Sequence, residues 1–165
     1  MPEVTVRPAT ASDVDELLDL YESVAAEGRF IAGEAPVDRA RRRPGWIAQA
    51  EGESPGRSFA AEADRALVGM ASVTGVGALE LGMMVAAPWR GKGVGTKLLE
   101  ACIDYARTSG AHKICLEVWP HNEAALALYE KHGFVREGYL RKQWRRRNGE
   151  LWDSVVMGLL LVDGE

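Results

Sequence analysis

A glycine-rich turn separates an apolar segment from an amphipathic segment near the middle of the chain. Residues 81–100 read LGMMVAAPWRGKGVGTKLLE, with glycines at 91, 93 and 95. The apolar run predicts a buried strand, and the helical spacing of the apolar residues that follow predicts a helix. Free N–H groups and the helix dipole favour an anionic ligand at a helix N-terminus. The order strand, glycine turn, helix therefore predicts a phosphate-binding turn.

The turn differs from two common phosphate-binding motifs. A P-loop requires Ser or Thr directly after its Gly-Lys pair, whereas Lys92 is followed by Gly93. A dinucleotide-binding fingerprint requires G-x-G-x-x-G, whereas this turn reads GKGVGT. Arg90 and Lys92 add positive charge that suits a diphosphate. A strand–helix turn that binds no ligand is the alternative explanation of these residues alone.

Chain length and the order of elements favour one α/β (α+β) domain. The 165 residues are enough for one hydrophobic core and too few for two ordinary domains, so residues 1–165 are expected to form a single domain. The predicted order is a strand, two helices, three strands, a helix, a strand, a helix and a hairpin. This order favours a mixed, mostly antiparallel sheet flanked by helices. The strand–helix–strand unit at 81–119 should be parallel and right-handed.

Turn and cap signals set the predicted boundaries. Helices are expected at about 13–26, 37–50, 93–108 and 123–132, and strands at about 4–7, 58–63, 66–74, 78–85, 113–119, 134–140 and 151–162. Ser12 and Asp15 predict a capping box for the first helix. Pro44 and Gly45 are expected to break or kink the second helix. Asn148-Gly149 predicts the turn region of the final hairpin.

The charge pattern argues against general nucleic-acid binding. The formal net charge is −4, although basic residues are concentrated at 39–43 and 141–147. We expect these two runs to be solvated surfaces of a helix and a hairpin. A nucleic-acid patch is the less favoured alternative, and a local field that attracts an anionic cofactor is a third.

Membrane, secretory and metal-binding signals are missing from the sequence. No run approaches the roughly 18 apolar residues of a membrane span, and the N-terminus lacks the pattern of a secretory signal. Cys102 and Cys115 lie in apolar contexts and are expected to be buried, reduced thiols, which predicts a cytoplasmic location. The histidines do not share metal-ligand spacing with the cysteines, so no metal site is expected.

A second block of polar residues follows the helix after the glycine turn. Residues 114–134 read ICLEVWPHNEAALALYEKHGF. An apolar strand carries Glu117, Asn122 is a suitable helix N-cap, and the next helix contains Tyr129. Each has an ordinary structural explanation: a salt-bridged strand residue, a simple cap and a core tyrosine.

The two blocks together resemble the GCN5-related N-acetyltransferase (GNAT) family. The resemblance rests on the Arg-x-x-Gly-x-Gly turn at 90–95 and on the LEV, N, A, LYEK and GF spacing, and it covers residues 80–134. It is closest to the branches of small-amine, amino-acid and ribosomal-protein alanine acetyltransferases. The N-terminal half matches that family only in the order of its elements.

The resemblance implies an acetyl-CoA-dependent N-acetyltransferase. The residues implied to bind acetyl-CoA are Met83, Met84, Val85, Arg90, Gly91, Lys92, Gly93, Val94, Gly95, Thr96 and Asn122. Backbone groups of 83–85 would pair with the pantetheine arm and the acetyl carbonyl, and amides of 91–96 would hold the diphosphate. Tyr129 would protonate the departing thiolate. Either Glu117 or Glu80 would be the general base.

The chemistry of acetyl transfer explains the need for these groups. A lysine-like amine with a pKa near ~10.4 costs roughly 4–5 kcal/mol to deprotonate at pH 7, whereas an α-amine near ~8 costs about 1–1.5 kcal/mol. A carboxylate can accept that proton directly or through water. A phenol with a pKa near ~10 stays protonated and can donate to a thiolate.

The acceptor expected from the sequence is a primary amine of a small molecule such as an amino acid. A protein N-terminal or lysine acetyltransferase is the nearest alternative, and a non-catalytic sensor of acyl-CoA is another. Trp144 and Trp152 either line the amine pocket or pack the hairpin, and packing is favoured. Family resemblance also leaves a homodimer open.

Overall fold

The structure, a computed structural model, describes residues 2–162. The strands are β1 (Thr5–Pro8), β2 (Gly56–Ala63), β3 (Ala66–Thr74), β4 (Ala78–Val85), β5 (Lys113–Val118), β6 (Val135–Arg145) and β7 (Leu151–Leu160). The helices are α1 (Val14–Glu27), α2 (Arg39–Ala50), α3 (Val94–Thr108) and α4 (Glu123–Lys131). Short 3-10 turns at Ala11–Asp13 and Ala87–Trp89 precede α1 and the glycine turn.

The seven strands form one sheet in the order β1-β2-β3-β4-β5-β7-β6. Every neighbouring pair is antiparallel except β4 and β5, which are parallel. This confirms the predicted mixed, mostly antiparallel sheet. β4 and β5 pair only at 78–80 with 113–115, although each strand continues beyond these residues along its other neighbour. The two strands therefore separate and leave a gap in the middle of the sheet.

Helices cover both faces of this sheet. The larger core cluster joins α3 and α4 to Leu79 and Leu81 of β4, and the smaller cluster joins α1 to Met84 of the same strand. Because side chains alternate along a strand, odd and even residues of β4 face opposite layers. A ligand in the gap would therefore contact groups from both layers.

The first helix is capped differently from the prediction. Asp13 accepts hydrogen bonds from the backbone N–H of Thr10 (2.7 Å) and from its hydroxyl (3.0 Å). Asp15, the predicted box partner, instead pairs with Arg43 of α2 at 2.8 Å. The predicted Ser12–Asp15 box is wrong because a 3-10 turn moves the start of the helical segment forward.

Helix α2 continues through Pro44, so the break that was one of the two predicted outcomes does not occur. The helix runs from Arg39 to Ala50, and the carboxylate of Asp38 caps it by accepting from the N–H of Arg41. Trp46, two residues after the proline, packs edge-on against Tyr21 of α1, with 5.5 Å between ring centroids. Contacts with α1 offset the hydrogen bond that a proline removes from a helix.

Strand β6 is longer than predicted and ends at Arg145 instead of Leu140. Its pairing with β7 shifts between Leu140 and Trp144, where Lys142 adopts a φ of 51°. This bulge interrupts the alternation of apolar and polar residues, so the pattern in the sequence does not indicate that the strand continues. The hairpin predicted from Asn148-Gly149 is confirmed, with its loop at 146–150.

The two basic runs make ion pairs within the chain. Arg39 pairs with Asp19, and Arg43 with Asp15, so the first run faces the acidic surface of α1. Arg146 of the second run is only 4% exposed, which the solvated-surface interpretation did not predict. Apart from Arg146, the basic residues of both runs are half-buried or exposed, as expected for solvated surfaces.

The burial of the two cysteines agrees only in part with the expectation. Cys102 and Cys115 are both free; Cys102 is buried as predicted, whereas Cys115 is half-buried. Burial raises the pKa of the Cys102 thiol to about 12, which makes it an inert core residue.

Within residues 2–162, no helix has the length and apolar character needed to cross a bilayer.

The Asp13 carboxylate should make stability depend on pH at the acid end. A hydrogen-bonded ion pair with Arg7 (2.7 Å) lowers the pKa of Asp13 from 3.8 to about 2. A lowered folded-state pKa stabilises the fold above pH 3.8, and this contribution is lost as the pH falls toward 2. Asp13→Asn should therefore reduce the free energy of unfolding by about 1–2 kcal/mol at neutral pH.

Urea unfolding of both proteins between neutral pH and about pH 2.5 measures this effect. The difference between parent and variant should shrink in acid. Asp15→Asn removes an exposed carboxylate and serves as the control, with an expected effect below about 0.5 kcal/mol. A pH-independent loss in Asp13→Asn would contradict the ion-pair explanation.

Candidate active site

A cleft of about 860 Å³ occupies the gap between β4 and β5. On the layer of α3 and α4 its lining includes Gly91, Gly93, Gly95, Thr96, Asn122 and Tyr129. On the layer of α1 and α2 its lining includes Tyr21, Trp46, Glu80, Glu117, Trp119 and Trp144. The strands separate where both layers can reach the same ligand, so one cavity brings together the glycine turn and the two candidate bases.

The glycine turn presents a series of unpaired backbone donors. Among the described residues, the N–H groups of 91–96 have no hydrogen-bond acceptor, and the first N–H with one is that of Lys97, which donates to Gly93. Gly91 and Gly93 have φ values of 72° and 84°, a conformation that favours glycine. Their conformations turn the chain into α3 and leave these donors available to an anion.

Gly95 lies in a tight space, where an added Cβ atom would meet the ends of two side chains. A Cβ atom at this position would lie 3.3 Å from Leu128 of α4 and 3.7 Å from the side-chain end of Met83. A glycine here lets α3 approach α4 and β4 closely beside the cleft. The turn therefore combines open donors with a narrow passage toward the gap.

The charge of Arg90 is already paired within the chain. Its guanidinium makes two hydrogen bonds to Glu27, at 2.8 and 2.6 Å, and donates to the carbonyl of Val85 at 3.0 Å. It also lies 4.4 Å from the ring centroid of Phe30. Arg90 thus fastens the end of α1 and the following loop to the glycine turn, and the pairing lowers the pKa of Glu27.

The free edge of β4 faces the gap. In the antiparallel register with β3, Met84 is opposite Met70, and Ala86 donates to Val68. Because hydrogen-bonded positions alternate along an antiparallel pair, the backbone groups of Met84 point to β3 and those of Met83 and Val85 point to the gap. Met83 and Val85 are therefore better placed than Met84 to bond a ligand through their N–H groups.

Asn122 and Tyr129 approach the cleft from α4. Asn122 caps the helix by accepting from the N–H of Ala125 at 3.3 Å, and its side-chain amide lies at the cleft wall. Tyr129 is 7% exposed and packs against Phe134 with 5.6 Å between ring centroids. Its hydroxyl has no hydrogen-bond partner among residues 2–162. Burial, with a smaller contribution from Cys102, raises the pKa of this phenol, so it stays protonated.

Glu80 and Glu117 lie on the opposite face of the sheet from Tyr129. Glu80 is the last residue of β4 that pairs with β5, opposite Cys115, and Glu117 is two residues further along β5. Glu117 accepts hydrogen bonds from Ser154 Oγ at 2.8 Å and Trp144 Nε1 at 3.2 Å. The Glu80 carboxylate has no such partner among the described residues. One carboxylate is held in place and the other is free to move.

Aromatic side chains from separate segments form the outer wall of the cleft. Tyr21, Phe30 and Trp46 come from α1, the next loop and α2, and Trp119 follows β5. No local motif links these segments, so the sequence analysis missed them. Trp144 lines the cleft, whereas Trp152 packs on Trp119 with 5.0 Å between ring centroids. The packing role that the sequence favoured for both tryptophans therefore fits Trp152 and is wrong for Trp144.

Two residues assigned to the cofactor have side chains directed elsewhere. Lys92 is exposed, with Nζ 5.5 Å from the Trp89 ring, and does not line the cleft. The Val94 side chain is buried in the core, so only its amide faces the turn. Within residues 2–162, no group of three or more His, Cys, Asp or Glu side chains is arranged to hold a metal ion.

Comparison with known families identifies this arrangement. The profile of the acetyltransferase (GNAT) family matches residues 16–134, which is more than half of the chain. The chain belongs to the GNAT family. It is therefore an acetyltransferase, and the cleft described above is the candidate active site of a GNAT enzyme.

Individual relatives of this GNAT acetyltransferase cover nearly its whole length. The L-methionine sulfoximine/L-methionine sulfone acetyltransferase of Pseudomonas paraeruginosa is 29% identical over 95% of this chain and 94% of its own. A crystal structure of ribosomal-protein-alanine N-acetyltransferase from Brucella melitensis is 26% identical, with a TM-score of 0.85 over 94% of this chain and 99% of that one.

A second solved structure shares the fold. The yncA protein of Salmonella typhimurium, described as a putative acetyltransferase with its cofactor acetyl-CoA, is 23% identical. Its TM-score is 0.85 over 98% of this chain and 95% of that chain. These comparisons confirm the predicted family and the predicted fold class of this GNAT acetyltransferase.

Proposed function

We propose that this enzyme transfers the acetyl group of acetyl-CoA to the primary amine of a small molecule. The observation that carries this proposal is the gap between β4 and β5. It joins a turn of unpaired N–H groups and a tyrosine on one face of the sheet to two carboxylates on the other. Acetyl transfer needs an anion-binding site for the coenzyme, a proton acceptor and a proton donor around one passage.

The residues at the turn suit a diphosphate. The N–H groups of 91–96 would hold it, since they are unpaired and lie at the start of a 15-residue helix. Met83 would bond the pantetheine arm through its open backbone edge, and Asn122 through its side-chain amide. Val85 has only its N–H group available at this edge, because its carbonyl accepts from Arg90. We assign Arg90 a supporting role, because Glu27 already neutralises its charge. Acetyl-CoA, when bound, supplies the acetyl group in activated form as a thioester.

Tyr129 is the proposed proton donor. Its hydroxyl is the unpartnered polar group at the α4 wall of the cleft, and its raised pKa keeps the proton on the phenol at neutral pH. A protonated phenol at this wall can donate to the thiolate sulfur that leaves as the acetyl group is transferred. The N–H of Val85 faces the gap and is the proposed donor to the acetyl carbonyl oxygen.

Glu80 is the proposed general base. It lies at the point where β4 leaves β5, and its carboxylate has no hydrogen-bond partner that would restrict it. Glu117 is held by Ser154 and Trp144, so we assign it to binding of the acceptor. Glu80 would accept the ammonium proton of the acceptor directly or through one water, which exposes the nitrogen lone pair.

The test is amine-dependent release of coenzyme A. The protein is incubated with acetyl-CoA and a panel of amino acids, aliphatic amines and peptides, with free thiol and acetylated product both measured. The proposal expects acetylated small amines in step with thiol release. Faster turnover of peptides would favour a protein acetyltransferase, and binding of acetyl-CoA without any acetylated amine would favour a sensor.

We also propose a cytoplasmic location and a homodimer for this enzyme. The two free thiols, Cys102 and Cys115, favour a reducing compartment such as the cytoplasm. A homodimer would use strand β6, which lies at the edge of the sheet and exposes Val135 and Tyr139. Analytical ultracentrifugation measures the assembly directly.

A further inference from the structure

We infer that the acceptor is an aliphatic diamine without a carboxylate group. This inference rests on the proposed function and specifies its substrate. It comes from the charges, hydrogen bonds and aromatic side chains that surround Glu80 and Glu117. These features differ from what a free α-amino acid would need.

The acceptor side of the cleft carries negative charge without a compensating cation. Among the described residues, Arg90 is the only Lys or Arg that lines the cleft, and it is paired with Glu27. Glu80 and Glu117 line the same cleft and have no basic partner there. The carboxylate of an amino acid would be repelled by these two groups, whereas a second ammonium group would be attracted.

Arg146 packs against the aromatic wall of the cleft, and its charge is already engaged. Its guanidinium lies 4.5 Å from the ring centroid of Trp152 and 5.2 Å from that of Trp119. It donates to the carbonyl of Ala32 at 2.9 Å and lies 3.8 Å from the carboxylate of Glu34. Arg146 therefore supports the aromatic wall from behind and does not line the cleft.

The Glu117 carboxylate is held in place and keeps its negative charge, which favours binding of a cation. Its two partners, Ser154 and Trp144, are neutral donors, which orient the carboxylate without cancelling its charge. Trp144 and Trp119 stand edge to face beside it, with 5.9 Å between ring centroids. An ammonium group near an oriented carboxylate and indole rings gains both ion-pair and cation–π stabilisation.

The register of the strands sets the spacing of the two backbone positions that carry the carboxylates. Glu80 is opposite Cys115, and Glu117 lies two residues further along β5 on the same face. At about 3.3 Å per residue and 4.8 Å between strands, the two Cα atoms are roughly 8 Å apart. With single bonds of about 1.5 Å, an extended diamine of four or five methylenes separates its nitrogens by roughly 6–7.5 Å. With one ammonium group at Glu117, the unrestrained Glu80 side chain can therefore reach the other amine of a diamine of this length.

Matched acceptors test this inference. We would measure kcat/KM for 1,5-diaminopentane, pentylamine, 5-aminopentanoate and L-methionine sulfoximine. The diamine should exceed pentylamine by about tenfold, as expected for one partly exposed ion pair, and both carboxylate-bearing acceptors should be slower than pentylamine. Preference for either carboxylate-bearing acceptor, including a preference created by a cation from a second copy of the chain, would overturn the inference.

Glu117→Gln provides the matched variant. The ratio of kcat/KM for diamine over pentylamine should fall about tenfold toward one, since the variant keeps the shape and loses the charge. Glu130→Gln removes a carboxylate from a surface ion pair outside the cleft and should keep the parent ratio. An unchanged ratio in Glu117→Gln would overturn the assignment. Acetylation of amino acids alone would refute only this inference, whereas acetyl-CoA binding with no acetylated amine would refute the proposed function as well.

Discussion

Tyr129→Phe is expected to lower kcat by about 10²–10³-fold and to leave the Kd for acetyl-CoA within about twofold of the parent value. The variant loses only the hydroxyl, which lies at the cleft wall and has no hydrogen-bond partner among residues 2–162. The ring keeps its contact with Phe134. The loss should therefore affect the chemical step and not the binding of acetyl-CoA. Pre-steady-state acetyl transfer measures the chemical step, and calorimetric titration of acetyl-CoA measures the Kd.

Folding and the pH profile provide controls for this result. The unfolding midpoint should barely move, because no hydrogen bond to another described residue is lost. Tyr105→Phe on α3 is a matched change outside the cleft and should keep parent activity. Since the raised pKa keeps Tyr129 protonated, its ionisation should not limit the rate between about pH 6 and 9. Unchanged kcat in Tyr129→Phe would remove the proton-donor role.

Glu80→Gln is expected to lower kcat/KM for pentylamine by about 10²–10³-fold at pH 7. The amide keeps the shape of the side chain but cannot accept the ammonium proton. As the pH rises toward the pKa of the amine, near ~10.4, more neutral amine forms in solution and the variant should recover part of its deficit. The pH dependence of kcat/KM for parent and variant measures this recovery.

Pentylamine also distinguishes the roles of the Glu80 and Glu117 carboxylates. With pentylamine, which has no second ammonium group, Glu117→Gln should lose less activity than Glu80→Gln. Glu130→Gln controls for removal of a negative charge. A larger loss in Glu117→Gln would instead make Glu117 the base, with Glu80 left to bind the acceptor.

The half of the cleft that is proposed to bind the coenzyme is built from residues close in sequence, which explains why its local structure could be predicted. The positive φ angles at Gly91 and Gly93, the cap at Asn122 and the helical position of Tyr129 all follow from residues close in sequence. Side-chain identity at these positions directly reflects backbone conformation or a helix start. The mixed sheet likewise follows from the order of strands and helices.

The acceptor half depends on contacts between distant segments, which one sequence does not reveal. Glu27 and Arg90 are 63 residues apart, yet their pair determines how the loop after α1 meets the turn. Trp144 reaches Glu117 because of a bulge near Lys142 in a strand longer than its pattern indicates. The separation of β4 from β5 leaves no local signal, although it creates the cleft.

The open amides of residues 91–96 are proposed to hold the diphosphate of acetyl-CoA beside the gap in the sheet. The most direct measurement is the amide NMR spectrum of the protein titrated with coenzyme A and, separately, with pantetheine. Coenzyme A should shift the amides of Gly91, Gly93 and Gly95 together with those of Met83 and Val85, whereas pantetheine, which lacks the diphosphate, should shift only the latter pair. Unmoved glycine amides at saturating coenzyme A would exclude the diphosphate site at this turn.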